Sequence, residues 1–468
     1  MLDGKERPLP HGYFPQEQGK TDTSVIAQNQ ESGDTNYEKD PLGKNFEQKF
    51  PEKQVMGRPS VRTSGDVITF GCRLNACESE IIYNFARELG LENVIIINTC
   101  AVTAEAERKL RQTIRKLHQE NNDVKIILTG CASELNPDFY IQMDGVAGII
   151  SNKMKLSRDE YLKYVQNRPN VRIGEDGTYH GKIRGFLQIQ NGCDQRCSYC
   201  IVRLARGSNV SFSRDDILAQ AKKLLQKGYQ EIVLTGVNVS SYGRGVGDSL
   251  ASLITYLLKN IPALRRLRLS SLDPADLSDE LIRVITQEER LLPHVHESIQ
   301  SGDDLILKRM VRRHSSMQII EINEKILSWR PEIIFGADIM VGFPTETDAM
   351  FENTKSLMKK AKISLLHVFP FSSRPGTPAA GMPMVDKKIR LARAADLRNL
   401  AQELQMQKMQ EFVGKNVIIL AESEYVAKTN SFLQVRSRKK LASGREYLFH
   451  CESHEKKYII GNPIEING

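Results

Sequence analysis

The sequence lacks any run of about 18 apolar residues that could cross a bilayer, and no charged-then-apolar leader follows Met1. Both absences set the expectation of a soluble, cytoplasmic protein with no membrane partner. Cysteine is sparse, at eight in 468 residues, which argues for metal or redox use rather than a disulfide scaffold. Apolar periodicity is missing from residues 1–64, a polar stretch rich in Gln, Asn, Asp, Gly, Pro and Lys. The expectation there is a disordered extension, because such a composition cannot bury enough apolar surface to fold. A fourth ligand is missing too. In "NGCDQRCSYC", Cys193, Cys197 and Cys200 have no further Cys or His beside them, whereas a structural zinc site is a closed tetrahedron of four. Three thiolates on one loop can hold a four-iron cluster and leave one iron open to a substrate.

What is present gives a layout. The length allows about two to four domains. Basic residues outnumber acidic ones, 65 to 57, for a net charge of +8, a mild excess that fits a polyanionic partner if it is concentrated somewhere. Three apolar runs, "DVITFGC", "NVIIINTC" and "VKIILTGC", each end in a cysteine: Cys72, Cys100 and Cys131. Their separations of 28 and 31 residues are near the roughly 30-residue length of one βαβ unit. In an open parallel sheet all strand ends lie on one edge, so these cysteines are expected to converge into a second three-thiol site. The helical stretches "NACESEIIYNFARELG" and "AEAERKLRQTIRKLHQE" separate the runs.

From about Lys182 the alternation continues through "IRGFLQIQ", "QEIVLTGVN", "LRRLRLSS", "HVHESIQ", "IIFGADIMVG" and "SLLHVFPF". Six repeats point to a partial (β/α)6 barrel, short of the eight needed for closure, with the Cys193 loop at its carboxyl-end mouth. A long helix is expected at about 386–413. The tail, with "NVIILAESEY", "FLQVRS" and "EYLFHCES", reads as a small β-barrel. Its Lys428, Arg436, Arg438, Lys439, Lys440 and Arg445, beside Phe432 and Tyr447, suit an RNA platform, or else a solvated basic hairpin with core aromatics. The fold class is therefore α/β: a disordered 1–64, an open parallel α/β domain over 65–168, a partial barrel over 179–410 and a C-terminal β-barrel over 411–468.

The loop Cys193-x-x-x-Cys197-x-x-Cys200 after a first barrel strand resembles the radical S-adenosylmethionine enzymes. Taken in order, "TFGCRLNACESE", "INTCAVTAEAE", "LTGCASE" and "GCDQRCSYC" are similar to the methylthiotransferase branch of that superfamily, across residues 66–468. The resemblance implies two [4Fe-4S] clusters, one on Cys193, Cys197 and Cys200 and one on Cys72, Cys100 and Cys131. It implies S-adenosyl-L-methionine as cofactor, a TRAM-type RNA-binding tail, tRNA as partner and an electron donor of the flavodoxin or ferredoxin kind. The first cluster would reduce S-adenosylmethionine to a 5′-deoxyadenosyl radical; the second would hold the sulfur to be inserted. An unactivated aromatic C–H bond is beyond side-chain acids and bases, so a cofactor must carry this chemistry.

Local wording, "GCRLNACESE", "NTCAVTAEAE" and "LTGVNVSSYG", resembles the subgroup acting at C2 of N6-threonylcarbamoyladenosine beside the anticodon. The isopentenyladenosine subgroup and the ribosomal-protein aspartate subgroup remain as alternatives. So does a non-catalytic metal- and RNA-binding protein in which the loop holds zinc with Cys77 or Cys451. The resemblance also implies cofactor contacts. Tyr199 is expected near an adenine; Gly236, Asn238, Ser270, Ser271 and Asp273 end barrel strands; Gly342 and Glu346 lie in "GADIMVGFPTET". Glu297, where the family has Leu, is expected to face the cofactor or pair with a base. Asn75, Ser79 and Glu80 read as supports of the second site or as a helix's first turn. Arg309, Arg312, Arg313 and His314 read as phosphate contacts or a solvated helix end. Cys77 and Cys451 read as spare buried thiols. "CIVRLARGS" departs from the family, and leaves the shape behind the loop open.

Overall fold

The computed structural model describes residues 54–56, 66–165 and 183–464. The expected disorder of 1–64 lies outside these, save for one correction. Strand β1 (Gln54–Met56) pairs antiparallel with β2 (Asp66–Thr69), covering an edge that would otherwise present unpaired backbone groups. Next come helix α1 (Arg73–Glu88), β3 (Val94–Thr99), α2 (Ala104–Glu120), β4 (Lys125–Gly130), the short helix α3 (Cys131–Leu135) and β5 (Val146–Ile150). From β2 to β5 the pairing is parallel throughout, in sequential order. Successive residues of these strands serve opposite faces. Ile97, Ile126 and Leu128 pack with Leu110 and Ile114 of α2 on one side, and Ile96 and Ile127 pack with Ile82 and Tyr161 on the other. Burial on both faces explains the unbroken apolar runs that end in cysteine. Helix α2 starts where Thr103 accepts a hydrogen bond from the Ala106 amide at 3.1 Å, with Glu105 and Glu107 in its first turn, both favourable at a helix N-terminus.

Strand β6 (Arg184–Gln188) opens the next layer, followed by an antiparallel pair, β7 (Gln190–Asn191) and β8 (Val210–Ser211). Strands β9 (Glu231–Thr235) and β10 (Leu267–Leu269) join β6 in a parallel sheet. Strands β11 (His294–Gln300), β12 (Ile334–Val341) and β13 (Ile363–Pro370) form a second one. Single parallel bridges, Leu267 to Leu291 and Leu272 to Glu297, stitch the two, giving the six-strand partial barrel expected from the sequence. Its β6 edge is covered by α1: Cys77 Sγ donates to the Phe186 carbonyl at 3.3 Å, and Tyr229 donates to Glu80 at 2.6 Å. The helix Lys387–Gln410 closes the β13 side, where Arg398 bonds the Val368 carbonyl at 3.0 Å.

The tail forms a closed five-strand barrel in the order β14-β15-β16-β18-β17, consistent with a TRAM-type domain. Its strands are β14 (Asn416–Ala421), β15 (Val426–Thr429), β16 (Gln434–Ser437), β17 (Glu446–Glu455) and β18 (Tyr458–Pro463). Ile419, Val435, Phe449, Cys451 and Ile459 fill it. Strands β5, β15 and β18 are additions to the sequence reading. Four to six residues with a Lys, Gly or Pro inside show too little alternation to be recognised, and pairing with neighbours makes them strands.

Candidate functional site

Each cysteine of the N-terminal set sits just past a strand end, and glycines let them approach. Gly71 and Gly130 both adopt φ +95°, a left-handed conformation that side chains resist. A Cβ on Gly71 would stand 2.7 Å from Cys100 Sγ, and one on Gly130 would stand 2.5 Å from the Thr99 backbone. Asn75, from the first turn of α1, donates to the carbonyls of Phe70 and Thr99 at 2.8 and 2.9 Å, tying two strand ends together. Ser79 accepts from Asn98 at 3.1 Å. Glu80 instead reaches Tyr229 on the barrel. Burial, together with the neighbouring Cys72 and Cys131, pushes the Cys100 thiol up to about 12. In that setting the Cys100 thiol ionises only against a compensating positive charge, such as that of a bound metal centre.

Cys193, Cys197 and Cys200 follow β6 at the barrel mouth. Burial raises Cys193, and pushes Cys200 up to about 11. The Asn238 side chain bonds Cys193 and thereby favours its thiolate. Tyr199 stands beside Cys197, Cys200 and Arg312, with its ring 6.5 Å from Phe343 in an edge arrangement. Ser271 turns into the barrel lumen, 2.7 Å from Ser298 and 3.2 Å from Asp338. Asp338 also meets His296 at 3.1 Å and His367 at 3.2 Å. Although burial pushes its carboxyl up, the two histidines hold it well below the ordinary range.

Several expected residues lie elsewhere. Glu297 is a correction: strand alternation sends its neighbours His296 and Ser298 inward and Glu297 outward, where it is fully buried and accepts from Asn323 of the outer helix Ser316–Trp329 at 3.2 Å. No base faces it among the described residues, and burial raises its carboxyl to about 8. Gly236 is packed on Gln190, whose Oε1 takes the amides of Val237 and Asn238. Gly342 forms a φ +67° turn whose amide donates to Glu346 at 2.7 Å, with Glu346 paired to Arg393; the space above Gly342 belongs to Arg390. Arg312 and His314 are buried against Asp273, not offered to phosphate. Arg312 also reaches Cys197 Sγ at 3.7 Å and the Ser298 carbonyl at 2.6 Å.

The main residue missed by the sequence reading is Arg206, at the end of the helix Val202–Arg206 just behind the loop. Its guanidinium donates to Cys131 Sγ at 3.3 Å, Asn75 at 2.6 Å, Asn191 at 3.0 Å and both oxygens of Glu78. Glu78 in turn holds Lys155, and all three side chains are at most 1% exposed. Despite burial, Lys155 and Arg206 keep the Glu78 carboxyl down, at about 2. Each cysteine set thus has one arginine on a sulfur, Arg206 on Cys131 and Arg312 on Cys197. Glu78 lies inside the stretch "ACESE" and was open to notice; Lys155 carries no local signal.

Residues 187–358 match the Radical SAM superfamily and residues 66–150 match the uncharacterized protein family UPF0004. The chain is 44% identical over 405 residues to the threonylcarbamoyladenosine tRNA methylthiotransferase MtaB of Rickettsia prowazekii, covering 84% of this chain and 96% of that protein. It belongs to the radical SAM methylthiotransferase family. Its likeness to the Thermotoga maritima protein of the same name is 35% over 377 residues, covering 76% of this chain and 85% of that protein. A tRNA-2-methylthio-N(6)-dimethylallyladenosine synthase of Bacillus velezensis is 34% identical over 396 residues, covering 76% of this chain and 75% of that protein. In this family member the donor sets fit clusters better than single ions. All eight cysteines are free thiols. Among the described residues, neither triad brings its three Sγ atoms within 4.8 Å of one another. A zinc ion with Zn–S bonds of about 2.3 Å would draw its sulfurs to about 3.8 Å.

Proposed function

We propose that the protein adds a methylthio group to C2 of N6-threonylcarbamoyladenosine beside the anticodon of tRNA, giving 2-methylthio-N6-threonylcarbamoyladenosine. The observation that carries this reading is the second three-thiol site, linked through Arg206 to the loop that bears the first. One such loop would serve radical chemistry in general; two, joined by one short helix, serve radical chemistry and sulfur delivery at one place. The identity of 44% to the Rickettsia protein, against 34% to the dimethylallyladenosine synthase, supports the threonylcarbamoyl substrate.

In this reading Cys193, Cys197 and Cys200 hold one [4Fe-4S] cluster and Cys72, Cys100 and Cys131 the other. When bound, the clusters and S-adenosylmethionine supply the one-electron chemistry and the sulfur that an unactivated C–H bond requires. The chain's own residues bind, orient and shield. Tyr199, Asn238 and Ser271 border the loop and lumen where S-adenosylmethionine would lie. Arg312 and Arg206 offset thiolate charge at the two sites. Helix α1 shuts the open side of the barrel, which keeps water from a reactive intermediate. The exposed Arg436, Arg438, Lys439, Lys440 and Arg445 of the tail would meet the tRNA backbone. The reading also calls for a flavodoxin- or ferredoxin-like reductant and a cytoplasmic location, where tRNA is found.

Mass spectrometry of tRNA nucleosides from a strain lacking the protein tests it. Loss of 2-methylthio-N6-threonylcarbamoyladenosine, restored by the wild-type chain and not by Cys197→Ala or Cys72→Ala, is expected. An unchanged level in the deletion strain would refute the assignment.

A further inference from the structure

At the base of the barrel lumen, one ring gathers an unusual amount of charge. Phe432, from the turn between β15 and β16, adopts φ +76°, an arrangement a bulky side chain takes only when its surroundings impose it. Its ring stacks on His294 of β11 at 4.9 Å. Lys428 lies 4.0 Å from the ring centre, Arg268 4.7 Å, Arg73 5.7 Å and Arg184 5.8 Å. Most of these cations have a carboxylate partner. Glu231 takes Arg184, Arg266 and Arg268, Glu422 takes Arg184 and Lys428, and Glu446 takes Arg266. Arg73 has no carboxylate within ion-pair distance among the described residues. Of the two carboxylates whose charge reaches Arg73, Asp338 is already engaged by Ser271, His296 and His367, and Glu231 by three arginines.

We propose that Arg73 binds the carboxylate of the threonylcarbamoyl group, and so selects that nucleoside over one with an apolar N6 substituent. The proposal rests on the function above. Arg73 directly follows Cys72, on the helix that covers the lumen. N6 and C2 of adenine flank N1 on the same edge of the ring. A base presented with C2 toward the Cys72 site therefore carries its N6 substituent beside Arg73. A carboxylate accepts the guanidinium's paired N–H groups. An isopentenyl group would leave that charge half-buried and unpaired, a penalty that discriminates strongly between substrates.

The test measures binding, on the cluster-loaded protein under anaerobic conditions, of two anticodon stem–loops: one with N6-threonylcarbamoyladenosine and one with its methyl ester. Wild type is expected to bind the acid at least about tenfold more tightly than the ester, as a charged hydrogen bond is worth. Arg73→Met should bind the two alike, and Arg73→Lys should keep part of the preference. Iron analysis of each variant separates loss of binding from loss of the adjacent cluster. No acid-over-ester preference in the wild type would overturn the proposal, as would a full preference in Arg73→Met. Equal weakening of both stem–loops by Arg73→Met would place the guanidinium on the RNA backbone and also overturn it. Failure of the proposed function shows separately, as wild-type protein that leaves the threonylcarbamoyl stem–loop without a methylthio group.

Discussion

At the scale of single residues, buried charges carry the site. Arg206 is the partner that Cys131 Sγ, Asn75 Oδ1 and Glu78 share. Removing one member of a buried charged set leaves the others unpaired, at a cost of about 3–5 kcal/mol. Arg206→Met is therefore expected to lower stability by that amount in urea unfolding, with Arg206→Lys milder. Glu297 gives a pH dependence of the opposite kind to an ordinary ion-paired acid. Burial raises its carboxyl in the folded chain from 4.5 to about 8, so the folded state keeps a proton that the unfolded chain has released. Its contribution is whole below about pH 4.5 and is lost as pH rises toward about 8. Melting temperatures at pH 5 and pH 8 should therefore differ less in Glu297→Gln than in the wild type, the gain appearing at pH 8.

At the scale of elements, strand-to-helix turns place the sulfurs. The turn at Gly130 works only without a side chain, since a Cβ would meet Thr99 backbone at 2.5 Å and Asn98 Oδ1 at 2.6 Å. Gly130→Ala must push β3 and β4 apart where Cys100 and Cys131 emerge. A destabilisation of about 1–3 kcal/mol is expected in thermal unfolding, together with depletion of iron from the N-terminal site while the loop site keeps its own. That the cysteines end parallel strands is legible in the sequence, because runs such as "NVIIINTC" and "VKIILTGC" are apolar on both faces and stop at Asn98-Thr99 and at Thr129-Gly130. The direction of Glu297 is legible too in hindsight: alternation in "HVHESIQ" allows only every second residue into the lumen.

At the scale of the molecule, the tail barrel serves two sides. Phe432 on its β15–β16 turn and Lys428 at the end of β15 plug the base of the lumen, while Arg438, Lys439 and Lys440 remain exposed on the outside. Replacing these three by Ser should weaken tRNA binding and lower the slope of log affinity against log salt by about one for each phosphate that is no longer neutralised. Iron content should stay at the wild-type level. A variant with unchanged salt dependence would remove this surface from the tRNA interface.

The sequence by itself determined the order of layers, the six strands of the partial barrel and both cysteine triads, because strand periodicity, spacing and the Cys193 loop are local patterns. It could not reveal that Arg206 spans 75 residues to Cys131, that Lys155 neutralises Glu78 from 77 residues away, or that Phe432 enters the barrel among cations from three separate segments. Those are pairings of charge across the chain. Only packing chooses them, since a buried charge takes whichever partner the folded backbone brings within reach.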